Sequence, residues 1–140
     1  MFEALKIIHF LGLAAGIGGG LANMLAAMKL KGLPPEAMPA VGGYRITLGQ
    51  VSTVGLALLW ITGVWMVLGY MDPAIKGALL FQLKILAVIG LTVMAVLSNL
   101  TVAKARKAGT PPDAQRMKML GMISMVFSLS ALILAVAVFN

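Results

Sequence analysis

Two side chains in this sequence could do more than hold a fold, and both sit inside apolar runs. His9, the single histidine of the chain, lies in Leu5-Lys6-Ile7-Ile8-His9-Phe10-Leu11-Gly12. Lys84 lies in Phe81-Gln82-Leu83-Lys84-Ile85-Leu86. An ionisable group at membrane depth costs about 3 kcal/mol or more on insertion scales, so it points to a function and a partner. A neutral imidazole is a metal ligand, and in an apolar helix it suits haem iron. Lys84 would then meet an anionic group such as a porphyrin propionate. The structural alternative has His9 hydrogen-bonding a neighbouring helix while Lys84 snorkels to the headgroups along its own stem. Each residue stands roughly seven positions into its run, about 10 Å below the same membrane face at ~1.5 Å per residue. The expected site therefore lies between the first and third runs and holds haem b, with His9 and Lys84 as its working residues.

The helix that must position His9 has two unlike faces. At helical spacing Lys6, His9, Gly12, Gly16, Gly20 and Asn23 fall along one side, because residues three, four and seven apart stack together. Ile8, Leu11, Ala15 and Leu21 form the other. In lipid the small, polar face turns toward protein. Gly12, Gly16 and Gly20 make overlapping small-xxx-small steps, the pattern of close helix packing or of a homodimer. Gly16 and Gly19 could also offer a planar ring a wall free of side chains. A phosphate-binding glycine loop is excluded, since no strand precedes these glycines. Asn23 and Asn99 are expected to make interhelical hydrogen bonds near the far ends of the same two runs.

Composition fixes the class. The 140 residues are 61% hydrophobic and 11% charged, with mean hydropathy +1.02. A soluble domain is about 45–50% apolar and about 25% charged. A helix needs about 20 apolar residues to cross a bilayer core. Runs at about 2–28, 47–70, 77–102 and 119–139 qualify, and all six prolines fall between them. The sequence therefore predicts an all-α, four-helix transmembrane bundle forming one domain over 1–140. Leu30 to Ile46 is expected to connect the first two spans, with a short surface helix from Pro34-Pro35-Glu36.

Charge sets the expected orientation. Lys29, Lys31, Arg45, Lys104, Arg106, Lys107, Arg116 and Lys118 account for most of the eleven basic residues and follow spans one and three. The positive-inside rule places those connections in the cytoplasm, giving an inner-membrane protein with both termini outside. The net charge of +7 is thereby explained without nucleic acid, since no basic surface with interleaved aromatics lies outside the runs. The N-terminus lacks a basic n-region, so the first run reads as a retained span.

Other chemistries find no support. The absence of cysteine excludes thiolate sites in this chain. Glu3, Glu36, Asp72 and Asp113 all lie at span ends or in connections, so no buried acid pair or triad can be assembled, and transport of an ion lacks its mid-membrane acid. The methionines are too scattered for a copper site, except near the start of the last span. A weak repeat is visible: Leu5-Lys6-Ile7 with Gly12-Leu13 returns as Leu83-Lys84-Ile85 with Gly90-Leu91, and Pro34-Pro35-Glu36-Ala37 as Pro111-Pro112-Asp113-Ala114. It suggests two duplicated helical hairpins.

Leu5-Lys6-Ile7-Ile8-His9 with Gly19, followed by Phe81-Gln82-Leu83-Lys84-Ile85-Leu86, resembles the membrane protoporphyrinogen oxidases and their relatives among copper-resistance D-type proteins. The resemblance implies a small four-span bundle, His9 as the haem ligand and Lys84 as a second required residue. The chain departs from the oxidase pattern at Gly16-Ile17-Gly18, Asn23-Met24 and Gly121-Met122-Ile123-Ser124. With one histidine, a bis-histidine haem would need a second chain. The other function class is non-enzymatic: an accessory subunit packing Gly12, Gly16 and Gly20 against a larger membrane complex.

Overall fold

Each apolar run becomes a long helix because nothing inside it interrupts the 3.6-residue period. The computed structural model describes residues 1–110 and 113–139, with the backbone alone at 75, 76, 114, 138 and 139. The long helices are α1 (Phe2–Lys29), α2 (Met38–Gly69), α4 (Leu79–Ala108) and α5 (Ala114–Phe139); a single turn, α3 (Pro73–Lys76), precedes α4. All four long helices have the length and apolar composition to cross a membrane. The protein is all-α and a multi-pass membrane protein.

The helix ends follow local chemistry. Pro34 is extended, as a residue before proline must be, and Pro35 opens a 3-10 turn that runs straight into α2. The connection after α1 is thus two short 3-10 turns, and α2 begins at Met38 rather than near Thr47, extending well before its predicted span. Asp72 caps the single turn α3 and Asp113 caps α5, their Oδ1 atoms accepting from Ala74 N–H at 2.8 Å and Gln115 N–H at 3.0 Å. Gly109 ends α4 in the left-handed region at φ 67°. There Thr110 N–H reaches back to the Ala105 carbonyl. Pro111 and Pro112, half of the proposed repeat, lie outside the described residues.

The chain forms two compact units, Met1–Met71 and Asp72–Asn140. In the first, α1 packs on α2; in the second, α4 packs on α5. Each is an antiparallel helical hairpin. Both expose large apolar side chains on the outside. Ile7, Phe10 and Leu11 are more than 60% exposed, while the buried apolar side chains among the described residues are Leu56, Phe81, Ala87 and Leu120. In water this distribution would be untenable; in a bilayer the exposed leucines and valines face a solvent as apolar as themselves.

Candidate functional site

The first hairpin is closed by one seam between residues 9–23 of α1 and 45–62 of α2. On α1 it uses His9, Gly12, Gly16, Gly19 and Asn23; on α2 it uses Arg45, Leu48, Ser52, Gly55, Leu59 and Thr62. Both sets follow the three- and four-residue steps of a helix face. Because the helices run antiparallel, the first residue of one set meets the last of the other.

The centre of the seam is backbone on backbone. A Cβ on Gly55 would lie 2.5 Å from Gly16 N and 2.7 Å from Gly12 O. A Cβ on Gly12 would come within 3.0 Å of Gly55 O, and one on Gly19 within 3.1 Å of Leu48 O. Ser52 Oγ donates across the crossing to the Gly16 carbonyl at 2.9 Å. This is the small-residue packing read from the sequence, with the partner being α2 of the same chain. Gly19 rather than Gly20 is the buried member; a Cβ on Gly20 would meet Ser52 Oγ only at 3.9 Å. The wall that Gly16 and Gly19 were expected to offer a planar ring is covered by α2, because two glycine faces approach each other more closely than any ring could enter.

The polar groups stand at either end of the crossing. At one, Arg45 Nε donates to Asn23 Oδ1 at 3.1 Å. At the other, His9 Nδ1 lies 2.8 Å from Thr62 Oγ1, across 53 positions of sequence. Thr62 is only 3% exposed, and its Oγ1 donates to the Leu58 carbonyl at 2.6 Å. A hydroxyl has one proton to give. Toward His9 it therefore acts as acceptor, and Nδ1 carries the hydrogen. In that neutral tautomer the lone pair is on Nε2. The ring edge at Cε1 lies 3.6 Å from where a Cβ on Gly63 would stand, so a residue without a side chain faces the half-buried imidazole.

Around this end, the Phe2 and Tyr70 rings meet at 4.8 Å between centroids. Lys6 Nζ sits 4.3 Å above the Phe2 ring and 3.1 Å from Glu3 Oε1. Lys6 is thus held at the mouth of the hairpin, away from the seam.

Lys84 belongs to the second hairpin, early in α4, and is half-buried. Asn99 donates to the Ala95 carbonyl of its own helix at 3.0 Å and is exposed. The second seam is built differently from the first. Gly90 receives the Phe127 ring, whose atoms would lie 2.6–2.9 Å from a Cβ there. Ser128 is buried beside it in sequence, at 7% exposure. Gly12 and Gly90 are both close-contact positions of their hairpins, one met by a glycine backbone and the other by a phenylalanine ring.

Thr62 escaped the sequence reading. A threonine in an apolar run bonds its own i−4 carbonyl by default, and nothing in its neighbours betrays a second partner. The signal was present only in register: Ser52, Gly55 and Thr62 share one face with Arg45.

His9 with Thr62 satisfies one requirement of a ligating imidazole, a fixed donor bond from the nitrogen that does not bind. Among the described residues no three His, Cys, Asp or Glu side chains gather at one place. No family model, curated protein or solved structure matches the chain.

Proposed function

We propose that this protein is a membrane haem b- or porphyrin-binding redox protein of the protoporphyrinogen oxidase kind, in which His9 would hold the iron and Lys84 would meet a propionate. The observation that carries the reading is the His9–Thr62 bond. It orients the imidazole and assigns the hydrogen to Nδ1, which is what an Nε2 ligand requires. A bound haem would supply one-electron chemistry to the hydrocarbon layer. The chain's own residues would hold the group by one imidazole and counter a carboxylate with one ammonium, while apolar helices would exclude water. On the charge count, the proposal places both termini outside the cytoplasm and the protein in the inner membrane.

The test is an absorption spectrum of the gently solubilised protein, oxidised and then dithionite-reduced, after haem is supplied. A Soret band that sharpens on reduction and is lost in His9→Ala is the expected result. A wild-type protein that stays colourless would sink the proposal.

A second reading has an observation of its own. The glycines that suggested a ring wall are fully accounted for by packing on α2, as in a structural subunit with no cofactor. In that reading a second copy or a larger membrane complex would meet an exposed face such as that of Ile7, Phe10 and Leu11, since the glycine face is occupied. His9→Ala would then leave assembly intact, and substitutions at Phe10 would release the partner.

A further inference from the structure

The second hairpin carries a cleft at its basic end that neither reading uses. It has a volume of about 200 Å³ and is lined by Leu97, Leu100, Thr101, Lys104, Asp113 and Arg116. The leucines lie on the apolar stretch of α4, one to two turns before Lys104. Arg116 stands in the first turn of α5. The one carboxylate present is turned to other work: Asp113 Oδ1 accepts from Gln115 N–H at 3.0 Å and caps α5. No ion pair within 4.0 Å joins it to Lys104 or Arg116 among the described residues. Thr101 Oγ1 gives its hydrogen to the Leu97 carbonyl at 2.8 Å. Two cations and one carboxylate thus line the cleft, leaving it net positive, and leucine forms its apolar wall.

We propose that this cleft binds the phosphate headgroup of an anionic phospholipid from the adjoining leaflet, with Lys104 and Arg116 on the phosphate and an acyl chain along Leu97 and Leu100. Charge complementarity selects the headgroup, and the planar guanidinium suits phosphate oxygens. Continuity with the lipid-exposed face selects a lipid over a free anion, because Leu100 is 51% exposed and leads from the cleft into the hydrocarbon. A basic residue near an anionic bilayer surface strengthens binding about fivefold. Two acting on one headgroup should give on the order of 25-fold. The inference stands apart from any haem.

The experiment uses the full-length protein in phosphatidylcholine nanodiscs doped with spin-labelled phosphatidylglycerol or spin-labelled phosphatidylcholine, reading the motionally restricted lipid fraction. Wild type should favour phosphatidylglycerol by roughly an order of magnitude or more. Lys104→Gln with Arg116→Gln should abolish that preference. The charge-matched control, Lys107→Gln with Lys118→Gln, removes two exposed bases outside the cleft and should keep most of it. Equal losses in both pairs would overturn the proposal in favour of a diffuse basic surface. Displacement of the labelled lipid by inorganic phosphate, with sodium chloride of equal ionic strength inert, would overturn the lipid assignment in favour of a free anion. Helical circular dichroism confirms folding; should the pair fail to fold, Lys104→Gln and Arg116→Gln singly should each lose about fivefold, and no loss in either would reject the site.

Discussion

His9 and Thr62, 53 residues apart, are joined at 2.8 Å across the first hairpin, and the direction of that bond is set by a third group. Thr62 spends its proton on the Leu58 carbonyl at 2.6 Å, so the imidazole must donate. A buried threonine that would otherwise only bond its own helix thereby fixes both the angle and the tautomer of the chain's single histidine.

Removing that acceptor while keeping the shape should separate orientation from folding. Thr62→Val is expected to leave the hairpin folded, at a cost of about 0.6–1.7 kcal/mol for the interhelical bond. Haem affinity, followed by Soret titration, should fall about 10–100-fold, and Thr62→Ser should restore most of it. Unchanged affinity in the valine variant would show that Thr62 does not position the ligand.

The glycine seam makes a steric prediction with a built-in control. Gly55→Ala puts a methyl group 2.5 Å from Gly16 N, against backbone that cannot rotate away. Loss of about 1–3 kcal/mol is expected, measured as a shift in the SDS fraction at the unfolding midpoint. Gly18→Ala, with nothing within 4 Å, should be neutral or slightly stabilising, because alanine favours helix.

In the second hairpin the obstacle is a side chain, so it can be relieved. Gly90→Ala should destabilise by about 1–2 kcal/mol through the Phe127 ring. Combining it with Phe127→Leu should cost less than the sum of the two single changes. Strict additivity in that cycle would mean the two residues do not share the space.

At the opposite end of the first seam, Asn23→Ala leaves Arg45 Nε without its 3.1 Å acceptor. A loss of about 0.6–1 kcal/mol is expected. Asn23→Asp should retain the contact and strengthen it at neutral pH, where an ionised acceptor forms the stronger bond.

Much of this architecture was legible in the residues. The apolar runs and the prolines between them dictate four membrane-length helices. The period of His9, Gly12, Gly16 and Asn23 dictates which side of α1 must face protein. These are local properties, and side-chain spacing along one helix reports them directly. The start of α2 was misplaced because Tyr44 and Arg45 lower the hydropathy without interrupting the helix. Hydropathy marks where a bilayer would accept the chain, whereas the helix backbone continues past that limit to the turn that Pro35 opens. Which surface meets the glycine face was not legible, because periodicity names a face but not its partner. Only the antiparallel register of α1 and α2 sets Gly55 against Gly12 and Gly16, and Thr62 against His9. The same seam that excludes a ring from the glycines also gives the imidazole its acceptor, since both follow from how closely two helices without side chains at their crossing can approach.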